Sequence, residues 1–213
     1  MKLLELFCGT KSVGDVFAKE GYDIVSLDYD KKFNATHTED IMEWDYKQYA
    51  PDYFDVIWAS PDCTTWSVAS GGKYRLKSCI LGKDGEHIEK AQFANRMIDR
   101  VMEILEYFKV SAWFMENPRG LLQYYPPLVA YMENHNRTLV YYGNYEWSSP
   151  KPTHIWSNLK MWDDEKKPDM RDKRVKHGIK TPYPEMSNRK SRDRSKIPPL
   201  LIKRLYDLIF IER

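Results

Sequence analysis

Cys63 stands in Ser60-Pro61-Asp62-Cys63-Thr64-Thr65-Trp66-Ser67, a polar turn directly after the apolar run Phe54–Ala59. A thiolate nucleophile needs such a polar, partly exposed setting. A free cysteine is also a small hydrophobe that fills cores, and spacing alone leaves both roles open. Glu116-Asn117-Pro118-Arg119 follows a second apolar run, Ala112–Met115. A carboxyl flanked by Trp113, Phe114 and Met115 suits proton donation, and it suits a loop cap equally well. Asp28-Tyr29-Asp30 lies about twenty residues past a glycine turn, where an acid can accept ribose hydroxyls and an aromatic ring can cover an adenine. A helix N-cap is the competing role for Asp28. The turn itself, Phe7-Cys8-Gly9-Thr10-Lys11-Ser12-Val13-Gly14, lets backbone approach a ligand closely, but Lys11 breaks the dinucleotide fingerprint.

These stretches share one position, just after a strand. Lys2–Phe7 reads as a buried strand, Val13–Glu20 as a helix, and Asp23–Leu27 and Phe54–Ala59 as two further strands. A long helix is expected from His87 to Phe108, with Phe93, Met97, Val101, Ile104 and Phe108 on its apolar face. Ala112–Met115 is expected as a strand closed by Glu116-Asn117-Pro118, Arg137–Tyr142 as another, and Pro198–Ile211 as a final amphipathic helix. This alternation predicts an α/β fold with a largely parallel sheet, whose ligands collect beyond the carboxyl ends of the strands.

Composition narrows the classes. With 42% hydrophobic and 30% charged residues in 213, the chain reads as one globular core. No apolar run approaches the roughly 18 residues that span a bilayer. Met1–Gly9 reads as a first strand, because Glu5 interrupts its apolar run and no cleavage site follows. Cys8, Cys63 and Cys79 are odd in number and lack Cys-x-x-Cys spacing, so neither a disulfide framework nor a metal site is expected, and a reduced, cytoplasmic setting is. The net charge of +2 hides an asymmetry. Residues 1–150 carry 16 basic and 22 acidic side chains, and residues 151–213 carry 17 and 9. The basic excess lies largely in RDKRVKHGIK and NRKSRDRSK, either a solvated loop or a phosphate-facing surface.

Taken together and in this order, LELFCGT, LDYD, FDVIWASPDC, WFMENPRG and the tail RSKIPPLLIKRLYDLI resemble the cytosine-C5 methyltransferases over nearly the whole chain. The resemblance implies a Rossmann-like, S-adenosylmethionine-dependent methyltransferase fold with helices on both faces of the sheet. It implies Cys63 as a nucleophile adding to C6 of cytosine and Glu116 as the carboxyl bound at ring N3. Phe7, Gly9, Thr10, Asp28, Tyr29, Asp40, Ile41, Pro61 and Ser67 match cofactor contacts, with Leu200 as a weaker candidate. The glycine- and lysine-bearing stretch 69–86 resembles the loop that closes over the target base. No metal is implied.

Three departures stand out. Asp62 replaces the usual second proline before the cysteine and places a negative charge beside the thiol, which favours its protonated form. The family's Gln-x-Arg-x-Arg strand is replaced by Pro150–Trp156, which leaves Lys151 or His154 to stand in for an arginine at the cytosine O2. Only about forty residues separate that stretch from the closing helix, against about a hundred or more in the family's DNA-reading domain. The expected organisation is thus a catalytic core over 1–158, a basic loop segment over 159–196 and a closing helix over 197–213. Asn117, Arg119, Arg192 and Arg194 complete the candidate substrate contacts. The expected substrate is cytosine in DNA. The alternative is a free cytidine nucleotide, and a non-catalytic cofactor- or nucleic-acid-binding relative is a third reading. A compact enzyme of this kind suits a phage or mobile element in a bacterial host.

Overall fold

Successive strand residues point to opposite sides of a sheet, so an unbroken apolar run must be covered on both faces. That is the arrangement in the computed structural model, which describes residues 1–68, 73–75, 85–162, 165–169 and 196–211. Leu4, Leu6, Ile57, Ala59, Trp113 and Met115 face one core, and Leu3, Val56, Trp58, Ala112 and Phe114 face the other.

In chain order the elements are β1 (Lys2–Leu6), α1 (Gly14–Lys19), β2 (Asp23–Leu27), β3 (Val56–Ala59), α2 (Gly85–Tyr107), β4 (Ala112–Pro118), α3 (Pro126–Tyr131), β5 (Asn136–Tyr141), β6 (Pro152–Ser157) and α4 (Pro199–Ile211). The six-stranded sheet has the order β2-β1-β3-β4-β6-β5. Its first four strands are parallel, while β6 runs antiparallel to both β4 and β5. α2 and α3 cover one face through Ile98, Val101, Ile104, Leu105 and Leu128. α1 and α4 cover the other through Phe17, Leu201, Ile202, Leu205 and Ile209. Each fully buried aliphatic side chain stabilises this sandwich by about 1.5–3 kcal/mol relative to exposure.

Several expectations shift. β1 ends at Leu6, because Phe7 takes a left-handed φ of 58° that starts the turn. β3 begins at Val56, not Phe54. Glu116-Asn117-Pro118 is the end of β4 and not the turn after it, since these residues pair with Ile155, His154 and Thr153 of β6. On α2 the buried stripe runs through Ala91, Ala94, Ile98, Val101, Ile104 and Leu105, and Phe93 is 38% exposed. α3 was not expected; its Pro126-Pro127 start supplies no amide donors and is pre-set for a first helical turn. Among the described residues no helix is long and apolar enough to cross a membrane.

Candidate active site

The turn after β1 is fastened to the end of β2. Cys8 donates its backbone N–H to the Leu27 carbonyl at 3.1 Å, and Gly9 donates to Asp28 Oδ2 at 2.9 Å. Gly9 has a φ of +47°, which favours a residue without Cβ. Beneath the turn, Glu5 is 2% exposed and accepts the Gly14 N–H at 3.2 Å. A Cβ on Gly14 would lie 2.6 Å from Glu5 Oε2 and 3.1 Å from Ile24 Cγ2, so a larger residue there would push the Glu5 carboxyl out of its place. Burial pushes the Glu5 carboxyl up to about 8, against the pull of the Gly14 and Val13 amides.

The turn after β3 is fastened to β4. Asn117 is fully buried, and its Nδ2 donates to the Pro61 carbonyl at 2.9 Å. Ser67 and Trp66 donate backbone N–H groups to the Cys63 carbonyl at 2.9 and 3.0 Å, closing a helical turn. Leu121 then donates to the Trp66 carbonyl at 2.8 Å. A Cβ on Gly120 would lie 2.4 Å from that same oxygen, so the chain after β4 passes only as glycine. Arg75 braces the turn from the other side: its guanidinium stacks 3.3 Å from the Trp66 ring centroid and donates to Thr65 Oγ1 and to the Ala91 carbonyl of α2.

Between the two turns lies a cavity of about 430 Å³, within the range that holds a cofactor-sized ligand. Phe7, Cys8, Gly9, Thr10, Pro61, Cys63, Ser67, Glu116 and Lys151 all line it, together with Glu5, Asp62 and Ile197. Glu116 is 6% exposed, and its Oε1 accepts the Tyr142 hydroxyl at 2.7 Å and lies 3.6 Å from Lys151 Nζ. Burial, then the charges of Glu116 and Asp62, push the Cys63 thiol up to about 11, while Lys151 pulls it down. Asp62 Oδ1 accepts the Thr64 N–H and hydroxyl at 3.1 and 2.7 Å, and so caps its own turn.

Other expected residues lie apart from the wall. Asp28 is buried at the turn, and Tyr29 beside it is 77% exposed, its ring open to stack against a planar group. Asp40 Oδ1 accepts the Met42 N–H at 2.9 Å, capping a turn, and Ile41 is packed in the core of the α2 face. Asn117 ties the end of β4 to the turn after β3 and is not among the residues that line the cavity. Arg119 is exposed, with its backbone N–H donated to the Pro152 carbonyl at 2.8 Å. His154 is buried opposite Asn117 on β6 and packs edge-on against Trp156; of the two substitutes for the missing arginine, Lys151 is the one on the wall. Leu200 is 48% exposed, and Ile197 two residues before α4 lines the cavity instead. Arg192, Arg194, Cys79 and most of the stretch 69–86 lie outside the described residues. Glu5 and Tyr142 were not singled out from the sequence. Glu5 sits inside an apolar run where a lone acid is a usable signal, whereas Tyr142 is one tyrosine among fifteen.

Among the described residues no group of three or more His, Cys, Asp or Glu is placed to hold a metal ion. The residues present fit S-adenosylmethionine: a glycine turn with a left-handed residue, an acid joined to it by a hydrogen bond, an uncovered aromatic ring, and a cavity that reaches from the turn to Cys63.

A largely parallel α/β sheet with this cavity beyond the carboxyl ends of its parallel strands defines a Rossmann-like fold of the methyltransferase class. The chain is 30% identical over 170 residues to a Frog virus 3 (isolate Goorha) protein that bears the name "Probable DNA (cytosine-5)-methyltransferase", covering 75% of this chain and 71% of the relative. It belongs to the DNA (cytosine-5)-methyltransferase family. No family model matches it. Similar solved structures include a candidate DNA modification methyltransferase encoded within an E. coli prophage (TM-score 0.53, 13% identity, 76% of this chain and 49% of that one). The S. pombe Dnmt2 methyltransferase gives a TM-score of 0.50 at 16% identity, over 77% of this chain and 53% of that one. The Entamoeba histolytica methyltransferase EhMeth gives 0.52 at 13% identity, over 78% and 55%. At these identities they show the fold, and the chain spans about half the length of each.

Proposed function

We propose that this chain methylates C5 of cytosine in DNA, through a transient bond between Cys63 Sγ and ring C6. The observation that carries the reading is that Cys63, Glu116 and the glycine turn line one cavity. Phe7, Gly9, Thr10, Pro61 and Ser67 from its wall, with Asp28 and Tyr29 at the end of β2, would hold S-adenosylmethionine. When bound, that cofactor supplies an electrophilic methyl group on a sulfonium.

Cytosine C5 is a weak nucleophile, and Cys63 supplies the activation. The thiolate bonds to C6; the C5=C6 electron pair moves to C4–C5, and the C4=N3 pair moves to N3, which takes a proton from Glu116. C5 is then an enamine carbon able to accept the methyl group. Loss of the C5 proton to a base re-forms C5=C6, the N3 proton returns to Glu116, and Cys63 departs. A base stacked inside a duplex cannot enter such a cavity, so the target would leave the stack. The basic segment 160–196 would grip phosphates, which position DNA without reading its sequence.

The deciding experiment supplies labelled methyl donor with duplex DNA, single-stranded DNA, RNA, CMP and dCMP in parallel. Label at C5 of cytosine in DNA is expected, with affinity falling steeply as salt rises. Label confined to CMP or dCMP overturns DNA as the substrate and makes this a nucleotide-modifying enzyme. No label in any arm overturns the enzyme reading.

A further inference from the structure

Tyr142 follows β5 directly and is fully buried beneath the site. Its hydroxyl donates to Glu116 Oε1 at 2.7 Å, and Lys151 Nζ lies 3.6 Å from the same oxygen and 4.5 Å from the Tyr142 ring centroid. The β5–β6 ladder sets this up. Tyr141 pairs with Pro152, so the next residue on one strand meets the preceding residue on the other, and the Tyr142 N–H points to the Lys151 carbonyl at 3.5 Å. Lys151 takes a φ of +26°, a strained value for a residue with a side chain, and it lines the cavity. Both donors converge on Oε1, and no hydrogen bond is made to Oε2 among the described residues.

We infer that Tyr142 is a positioning residue for methyl transfer: with Lys151 it holds Oε1 of Glu116, so that Oε2 is the oxygen presented to the cytosine ring and Lys151 is left beside Cys63 as counter-charge to the thiolate. The inference rests on the methyl-transfer reading and assigns roles to two residues outside the nucleophile–acid pair. In the bond-forming step Sγ has lost its proton to solvent and Glu116 has taken one from solvent at Oε2; the S–C6 bond forms as the C5=C6 pair shifts to C4–C5, and the Oε2 proton passes to N3. Tyr142 keeps its own proton throughout, because burial and the neighbouring Glu116 hold the phenol protonated well above its ordinary range. The charged and titratable groups around Cys63 are Glu116 on β4, Asp62 on its own turn, Lys151 before β6 and Tyr142 after β5, with Glu5 and Cys8 on the opposite wall.

The test uses the full chain, with Tyr142→Phe, Lys151→Met and Lys151→Arg, each alone and combined with Glu116→Gln. Tyr142→Phe is expected to lower the single-turnover rate on DNA about ten- to a hundred-fold with cofactor affinity within about twofold, and to cost little more once Glu116 is Gln. Iodoacetamide alkylation of the Cys63 peptide, followed by mass spectrometry without DNA, is expected to need higher pH in Lys151→Met and to return toward the parent profile in Lys151→Arg. A Tyr142→Phe rate equal to the parent, losses that multiply with Glu116→Gln, or an alkylation profile unmoved by Lys151→Met would each overturn the inference. Should Tyr142→Phe fail to fold, the Lys151 variants decide. The alkylation readout needs no nucleic acid, so a parent protein that methylates nothing contradicts the enzyme reading while the thiol profiles still report on Lys151.

Discussion

The cavity is bounded by two acid–thiol pairs, Glu5 with Cys8 at the end of β1 and Glu116 with Cys63 at the ends of β4 and β3, and their surroundings differ. Around the first pair the donors are backbone amides and Ser26, and the Lys11 charge acts on both groups only weakly. Burial dominates there: it pushes Glu5 up to about 8 and Cys8 up to about 12, which favours the protonated form of each. Around the second pair, Tyr142 and Lys151 reach directly to Glu116, and Lys151 also pulls Cys63 down. Identical residue types around one cavity thus meet different electrostatics from what stands behind them. A side chain that brings a donor or a cation into a buried site changes what an acid or thiol can do there.

The sharpest break in that comparison is between the thiols. Cys63→Ser is expected to lower methyl transfer by at least about a thousandfold while retaining cofactor binding, since a hydroxyl at its ordinary acidity does not add to C6. Cys8→Ala is expected to keep the chemical step within about tenfold and to cost about 1–2 kcal/mol of stability for a small buried void. Equal losses in single-turnover assays of the two variants would erase the distinction. The acids give the next contrast. Glu116→Gln is expected to slow transfer about a hundred- to ten-thousand-fold, because the amide cannot deliver a proton to N3. A rate near the parent's would remove Glu116 from the mechanism.

How much of this contrast is legible in the sequence depends on whether a residue acts through its own strand or through a neighbouring one. Leu3, Leu4 and Leu6 announce a doubly covered strand, and the polar turns after β1 and β3 announce where ligands collect, because both signals are local. Phe93 misleads because helical spacing gives a face without saying which edge of that face meets the sheet. Asn117 reads as a substrate contact beside Glu116, but alternation along β4 sends the two side chains to different places, and Asn117 serves the Pro61 carbonyl. Tyr142 and Lys151 acquire meaning only through the β4–β6–β5 register, a long-range pairing that no local pattern encodes.

A smaller effect separates Cys63 from its own turn. Asp62→Asn retains an oxygen to accept from Thr64 and removes a negative charge that, with burial and Glu116, raises the thiol. The pH midpoint for alkylating Cys63 is expected to fall by a few tenths of a unit from about 11, with methyl transfer at neutral pH rising at most a few-fold. A midpoint that stays or climbs would mean that Thr64 already masks the charge.

The least dramatic change in rate carries the clearest statement about burial. Glu5 has an ordinary pKa of 4.5 in the unfolded chain and about 8 in the fold. Below pH 4.5 both states hold the proton and the group contributes no differential. Between pH 4.5 and 8 the unfolded chain releases the proton and the fold keeps it, so the unfolded state binds fewer protons and stability falls as pH rises, with a slope of at most about 1.4 kcal/mol per unit. Above about 8 the loss is complete. Glu5→Gln preserves an oxygen to accept the Gly14 N–H and removes the titration. Its thermal midpoint is expected to match the parent's near pH 4.5 and to exceed it by several degrees at pH 8, with both shoulders of the difference inside that window. Parallel curves would show that the Gly14 and Val13 amides already outweigh desolvation. Glu5 would then be ionised in the fold at neutral pH, and the difference between the cavity's two acids would reduce to Tyr142 and Lys151 alone.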